Sequence, residues 1–293
     1  MSIFIDKSTR VLVSGITGSE GAFWTKHMMD MGTNVVCGVT PGKEGGPVEN
    51  VPVFHSMKRA VAKCAVDAAM LFVPPRFVMD AVLEALDSGI RKIVTVADGI
   101  PLHEAIKIRQ AALAVNAVVI GGNSSGIISP GKAMMGMFPY WIERVYKPGN
   151  IGVMTRSGSL TNEVTAMVVK AGFGVSTLAG VGGDSVPGTR FAELLPLYEA
   201  DAGTKAMVII GELGGSMEEE VAECMAAKRF TKPLVAFIGG RTAPEGKKMG
   251  HAGAIVSGGK GSVLDKVKAL ESSGAKVADR PSRVGVLLKE LAG

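Results

Sequence analysis

The segment Gly250-His251-Ala252-Gly253-Ala254 sets one of only four histidines between small residues, with Lys247, Lys248 and Lys260 close by in sequence. An imidazole in so open a loop can reach a phosphoryl group, and cationic neighbours suit a phosphate's charge. A structural or solvated loop histidine is the competing reading of the same residues. His27, His55 and His103 lack such surroundings and read as surface or packing residues. Gly211-Glu212-Leu213-Gly214-Gly215 places a carboxylate directly after an apolar run, at the strand end where α/β sheets gather their ligands. A solvated loop acid would look the same. Thr155-Arg156-Ser157-Gly158-Ser159-Leu160-Thr161 offers hydroxyls and a glycine ahead of a helix, which serves either as a phosphate cradle or as ordinary helix capping. Gly182-Gly183-Asp184 forms a further small-residue loop. Near the N-terminus, Gly15-Ile16-Thr17-Gly18-Ser19-Glu20-Gly21 has the spacing GxxGxxG, with a strand before it and a helix after it. Backbone amides and the helix dipole can hold a phosphate there, unless the glycines merely permit a tight turn.

These residues need a parallel sheet to hold them. Short β-branched runs alternate with helix-length amphipathic stretches, the signature of such a sheet wrapped by helices. In a first series, Val11-Leu12-Val13 leads to the glycine turn and a helix near 22–31, followed by strands at Asn34-Val35-Val36-Cys37 and 69–73. A helix near 77–88, a strand at 92–96, a helix near 102–115 and Val118-Val119-Ile120 complete it. The passage 121–131, rich in Gly, Ser and Pro, and then Lys147-Pro148-Gly149 interrupt the alternation. A second series has strands at 151–154, 206–210 and 233–238 and helices near 160–170, 218–228 and 263–272. The expectation is two tandem α/β domains: a Rossmann-like one over 1–122, a linker over 123–148, and a second over 149–293.

Composition narrows the function. The 293 residues are 47% hydrophobic and 20% charged, enough apolar material for buried cores and contrary to disorder. Glycine numbers 39, about twice the usual ~7%, without a collagen period, so turns or ligands must require it. No run approaches the ~18 apolar residues of a membrane span, and the N-terminus lacks the order of a secretory signal, so a cytoplasmic location away from membranes is expected. Cys37, Cys64 and Cys224 lie too far apart for a disulfide framework or a zinc pattern, and no metal site is expected. The net charge of +5 is scattered, which favours small anionic ligands over nucleic acid. An NAD site would want an acid ~20 residues beyond the glycine turn. The chain has Cys37-Gly38-Val39-Thr40-Pro41-Gly42-Lys43 there, and a lysine suits an extra phosphate instead.

Taken in order, Thr40-Pro41-Gly42-Lys43, Gly99-Ile100-Pro101, Arg156-Ser157-Gly158, Gly182-Gly183-Asp184, Gly211-Glu212-Leu213-Gly214-Gly215, Thr242-Ala243-Pro244 and Gly250-His251-Ala252-Gly253-Ala254 resemble the α subunit of succinyl-CoA synthetase and its acyl-CoA ligase relatives, over nearly the whole chain. The resemblance implies a CoA-binding Rossmann-like domain, contacting coenzyme A through Thr17, Gly18, Ser19, Glu20, Lys43, Val96, Ala97 and Asp98. It implies a flavodoxin-like, doubly wound ligase domain in which His251 is transiently phosphorylated and oriented by Glu212. Ser157 and Gly158 would open the helix that faces the phosphoryl group. The implied reaction joins a small organic acid to CoA using ATP or GTP with Mg²⁺, and an ATP-grasp β subunit (αβ or α2β2) would bind that nucleotide.

Two departures bear on the acid. Asn162 stands where succinate-specific members have a substrate-contacting tyrosine. Gly122-Asn123-Ser124-Ser125-Gly126 replaces the family's usual Pro-Asn-Cys-Pro-Gly beside the CoA thiol, which makes Asn123 and Ser124 candidate contacts. An amide in place of a phenol offers hydrogen bonds over a smaller volume. The acid is therefore expected to be polar and dianionic, of malate, citrate or sulfoacetate type, with succinate as the alternative and a non-catalytic CoA-binding protein as the alternative from another class.

Overall fold

The computed structural model describes residues 2–243, 250–255 and 261–292. The chain divides into two compact units, one of residues 4–138 and 186–189, the other of 1–3, 139–185 and 190–293.

In the first unit the elements are β1 (Arg10–Ser14), α1 (Ser19–Met31), β2 (Asn34–Val39), β3 (Val53–Phe54), α2 (Met57–Val61), β4 (Ala68–Leu71), α3 (Val78–Asp87), β5 (Lys92–Thr95), α4 (Leu102–Ala114), β6 (Val118–Ile120), β7 (Gly126–Ser129) and β8 (Ala133–Gly136). Six parallel strands run in the order β3-β2-β1-β4-β5-β6, the Rossmann arrangement, and β7 pairs with β8 as an antiparallel hairpin. β4 is buried at all four positions, as a strand covered on both faces must be. α3 buries Val78, Ala81, Val82, Ala85 and Leu86 on one stripe, packed with Leu12, Leu71 and Ile93 of the strands. Truncating Leu86 to Ala there would cost about 3 kcal/mol.

The second unit contains β9 (Pro148–Thr155), α5 (Gly158–Lys170), β10 (Val175–Gly180), α6 (Phe191–Ala200), β11 (Ala206–Glu212), α7 (Met217–Ala226), β12 (Leu234–Gly239), α8 (Val263–Ser272), β13 (Lys276–Ala278) and α9 (Pro281–Ala292). Its five parallel strands lie in the order β13-β12-β11-β9-β10, the flavodoxin-like winding. β10 and β11 are buried along their full lengths. α5 buries Thr161, Val164, Thr165 and Val168 at helical spacing and packs on α9.

The expected elements are present with shifted ends. The strand expected at 69–73 stops at Leu71, because Pro74 and Pro75 end the ladder, and the strand expected to stop at 210 continues through Glu212. α6 escaped notice because Pro196 sits inside it. β7 and β8 escaped because glycines 126, 131 and 136 read as loop. Among the described residues no helix is long and apolar enough to cross a membrane.

Candidate functional site

In the first unit the chain leaves β1 through Gly15, whose φ is +78° and where a Cβ would sit 2.1 Å from the Phe72 carbonyl oxygen. Only glycine lets β1 turn so closely over the end of β4. α1 then begins with Gly18 as N-cap and no side-chain cap, so its first amides face outward for a ligand's acceptors. A cavity of about 620 Å³ opens there, lined by Gly15, Thr17 and Gly18 after β1, Thr40 and Pro41 after β2, and Phe72, Val73 and Pro74 after β4. It lies where the strand order reverses, the usual ligand crevice of such sheets.

Of the expected CoA contacts, Thr17 and Gly18 line this cavity, while Ser19 and Glu20 fall in the first turn of α1, where Glu20 Oε2 accepts the Trp24 indole N–H at 3.1 Å. Lys43 follows β2 on an exposed loop, and Val96, Ala97 and Asp98 follow β5. Asn123 and Ser124 follow β6. The Asn123 amide donates to the Ala97 carbonyl at 2.7 Å, and Ser124 Oγ accepts from the Gly126 amide at 2.9 Å. All of these residues lie beyond C-terminal strand ends of one parallel sheet. Phe72, Val73, Pro74 and Phe77 were not expected as walls, although their apolar run was visible in sequence. His55, read as surface or packing, accepts the Gly42 amide at Nδ1 (3.0 Å) and so ties down the loop that carries Lys43. Burial, with Cys64 beside it, pushes the Cys37 thiol up to about 12, which keeps it protonated.

In the second unit, strands β9, β11 and β12 end around a cavity of about 290 Å³ lined by Ser157, Ser159, Leu160, Glu212, Gly239, Gly240 and His251. His251 Nδ1 lies 2.7 Å from Glu212 Oε2. In the neutral imidazole that bond places the proton on Nδ1 and the lone pair on Nε2. The ring packs flat on Gly183, where a Cβ would come within 2.4 Å of the imidazole. α5 points its N-terminus into the same cavity. Ser157 caps it by accepting the Leu160 amide, Thr161 Oγ1 donates to the Ser157 carbonyl, and Gly158 and Ser159 form its exposed first turn.

The hydrogen bond to Glu212 and that residue's charge raise the His251 pKa, burial and the Arg156 charge oppose them, and Asp184 adds a smaller upward push. Arg156 Nη2 stands 3.3 Å from Glu212 Oε1, an oxygen that accepts no aligned hydrogen bond among the described residues. Arg156 Nη1 donates to the Gly214 carbonyl (2.9 Å) and reaches Glu218 Oε1 (3.4 Å). Glu218 in turn pairs with Lys266, and both are fully buried. Asn162 is exposed on α5 and is not among the residues lining this cavity, and its Oδ1 accepts the hydroxyl of buried Tyr146 at 2.5 Å. The chemistry of Arg156, Glu218, Lys266 and Tyr146 was not anticipated: Arg156 appeared only inside a motif, and Glu218 heads an acidic run that looks like a solvated helix start. Pro244, Lys247, Lys248, Gly258, Gly259 and Lys260 lie outside the described residues.

The sheet winding and the two strand-end cavities define a two-domain α/β protein, and its relatives place it in the acid–thiol ligase class. Residues 6–99 match the CoA binding domain family and residues 154–276 the CoA-ligase family. The ADP-forming sulfoacetate-CoA ligase subunit of an Acholeplasma species is 71% identical over 99% of this chain and 98% of its own. A succinate–CoA ligase [ADP-forming] subunit alpha of Archaeoglobus fulgidus is 46% identical over 99% and 100%. The chain belongs to this family of ADP-forming CoA ligase subunits. An ATP citrate lyase structure from Methanosaeta concilii has the same fold, with a TM-score of 0.89 at 24% identity over 98% of this chain, which spans 50% of that longer one.

Proposed function

We propose that the chain is the phosphohistidine-carrying subunit of a ligase that makes an acyl-CoA from a small sulfo-substituted carboxylic acid. The observation that carries the transfer chemistry is His251 Nδ1 held 2.7 Å from Glu212 Oε2, with Nε2 left free in a cavity headed by the N-terminus of α5. Nε2 attacks the γ-phosphorus of ATP and ADP leaves. Glu212 steadies the positive charge that develops on the ring by accepting the Nδ1 proton's hydrogen bond. The amides of Gly158 and Ser159 and the dipole of α5 stabilise the phosphoryl oxygens. A carboxylate oxygen of the acid then takes the phosphoryl group from Nε2 to give an acyl phosphate. The thiolate of CoA attacks the acyl carbon and inorganic phosphate leaves.

The first unit's residues fit coenzyme A: a cavity of about 620 Å³, apolar at Phe72, Val73 and Pro74, lies beside the uncapped amides of α1. In this reading Thr17, Gly18, Ser19 and Glu20 gather the pyrophosphate, Lys43 meets the ribose phosphate, Val96, Ala97 and Asp98 complete the wall, and Asn123 and Ser124 stand by the thiol arm. The nucleotide with its Mg²⁺ belongs to a partner subunit of ATP-grasp type, a reading supported by the relatives' being named as subunits and as ADP-forming. Sulfoacetate is favoured over succinate by the 71% identity and by Asn162, whose amide protons can meet a sulfonate's oxygens.

The complex of this chain with its partner, incubated with γ-labelled ATP, should carry an acid-labile, base-stable phosphate that is absent from His251→Asn. Label retained in that variant would overturn the phosphohistidine assignment. ADP release compared across sulfoacetate, succinate, malate and citrate with CoA present decides the acid. A preference for succinate would replace the sulfonate reading and leave the histidine chemistry in place.

A further inference from the structure

Behind the His251–Glu212 pair runs a line of buried charges of alternating sign. Glu212 is at the end of β11, Arg156 just after β9, Glu218 in the first turn of α7, and Lys266 in the first turns of α8. Arg156 is 3% exposed, and Glu218 and Lys266 have no exposed surface. Arg156 cannot swing away, because its Nη1 is engaged by the Gly214 carbonyl at 2.9 Å and by Glu218 Oε1 and the Glu212 carbonyl at 3.4 Å each. Lys266 anchors the far end through Glu218, through Glu219 Oε2 at 2.8 Å and through the Gly215 carbonyl at 3.0 Å. Glu218 Oε1 also accepts the Glu212 amide at 3.2 Å, so the chain of charges is tied to the strand end that carries Glu212.

A carboxylate hydrogen-bonded to an imidazole does two things at once. It orients the ring, which a phosphoryl-accepting nitrogen needs, and it makes the ring more basic, which at neutral pH places a proton on that same nitrogen. A fixed positive charge on the carboxylate's other oxygen separates the two effects. The hydrogen bond keeps its geometry, while the field at the ring is partly cancelled. Arg156 is so placed, 3.3 Å from Glu212 Oε1, while Oε2 serves His251.

We propose that Arg156, clamped by Glu218 and Lys266, is a positioning residue that lets Glu212 orient His251 without locking Nε2 in its protonated form. The proposal rests on His251 being the phosphoryl carrier. The charged groups that face the imidazole among the described residues are Glu212 from β11, Arg156 from the β9 end and Asp184 from the loop after β10. Of these only Arg156 opposes protonation. A side chain that merely filled space would not influence where the ring titrates.

The test is the pH profile of histidine phosphorylation by γ-labelled ATP, measured by rapid quench on the complex with its partner subunit. Wild type and His251→Asn establish first that His251 is the labelled residue; an unlabelled wild type would sink that reading rather than this one. Arg156→Gln should move the acid limb of the profile upward by about one pH unit, which makes phosphorylation ~10-fold slower on the acid side and nearly restores it above the new limb. Arg156→Lys, which keeps the charge, should leave the limb near its wild-type place. Glu218→Gln retains an oxygen for the Glu212 amide but leaves Arg156 less neutralised, so its limb should move the opposite way, to lower pH. If Arg156→Gln does not assemble, the Lys and Glu218→Gln variants still decide. A uniform fall in rate with the limb unmoved, or movement of Arg156→Gln and Glu218→Gln in the same direction, would overturn the proposal.

Discussion

Two helix N-termini, each following a parallel strand, face strand-end cavities, and they are built differently. α1 starts at Gly18 with no side-chain cap, beside a cavity of about 620 Å³ walled by Phe72, Val73 and Pro74. α5 starts at Ser157 with its cap filled, beside a cavity of about 290 Å³ faced by His251, Glu212 and, behind them, a file of buried ion pairs. Holding a ligand asks for area and open donors, which an uncapped helix and an apolar wall supply. Making and breaking a bond to phosphorus asks instead that one lone pair stay in place while charge develops on it. Buried, mutually neutralising charges are the way to hold it without leaving an unpaired ion in the core.

The sharpest way to break this contrast is Glu212→Ala, which should slow phosphorylation by at least ~10²-fold while leaving CoA affinity unchanged; a matching loss of CoA binding would erase the distinction between the two sites. Next, Gly15→Ala should destabilise the first unit by about 2–3 kcal/mol, read as lost hydrogen-exchange protection around β1 and β4 with the second unit unaffected. A smaller effect is expected at Lys43: Lys43→Ala should raise the KM for CoA by about tenfold and leave that for 3′-dephospho-CoA unchanged. An equal rise for both would place Lys43 away from the ribose phosphate.

The smallest effect is a difference in pH response. In the second unit the His251 pKa lies above its ordinary value of about 6.5. The pair's stabilisation is therefore fully present below that value and fades as pH rises through the raised one. In the first unit the hydrogen bonds from Arg10 hold the Asp67 carboxyl down at about 2. That contribution is present above about 3.8 and is lost as pH falls toward 2. Both pairs are partly solvent-screened, so calorimetry should show slight shifts, alkaline for one unit and acidic for the other. Glu212→Gln should remove only the first.

Much of this was legible from residue order. The parallel strands β1, β2, β4, β5, β6, β9, β11 and β12 announce themselves through short apolar runs, since strands buried on both faces must be apolar throughout. The glycine loops mark where those strands end, and His251, Glu212 and Ser157 could be picked out because ligands collect at such ends. Of the elements missed, α6, β7 and β8 share a cause, while β3, α2, β10, β13 and α9 were also passed over. Pro196 within α6 and the glycines around β7 and β8 are local signals against regular structure that packing overrode.

The sequence by itself determined the two α/β windings, the residues gathered at each sheet's C-terminal edge and the family of ligase subunits to which the chain belongs. Only the tertiary structure decided which nitrogen of His251 faces Glu212, that Glu212 shares its carboxylate between His251 and Arg156, and that Glu218 and Lys266 are buried partners rather than solvated charges. The reason is physical. Strand identity follows from short-range periodicity, whereas an ion pair joins side chains such as Arg156 and Glu218, 62 positions apart, whose spacing in sequence carries no trace of the 3.4 Å between them.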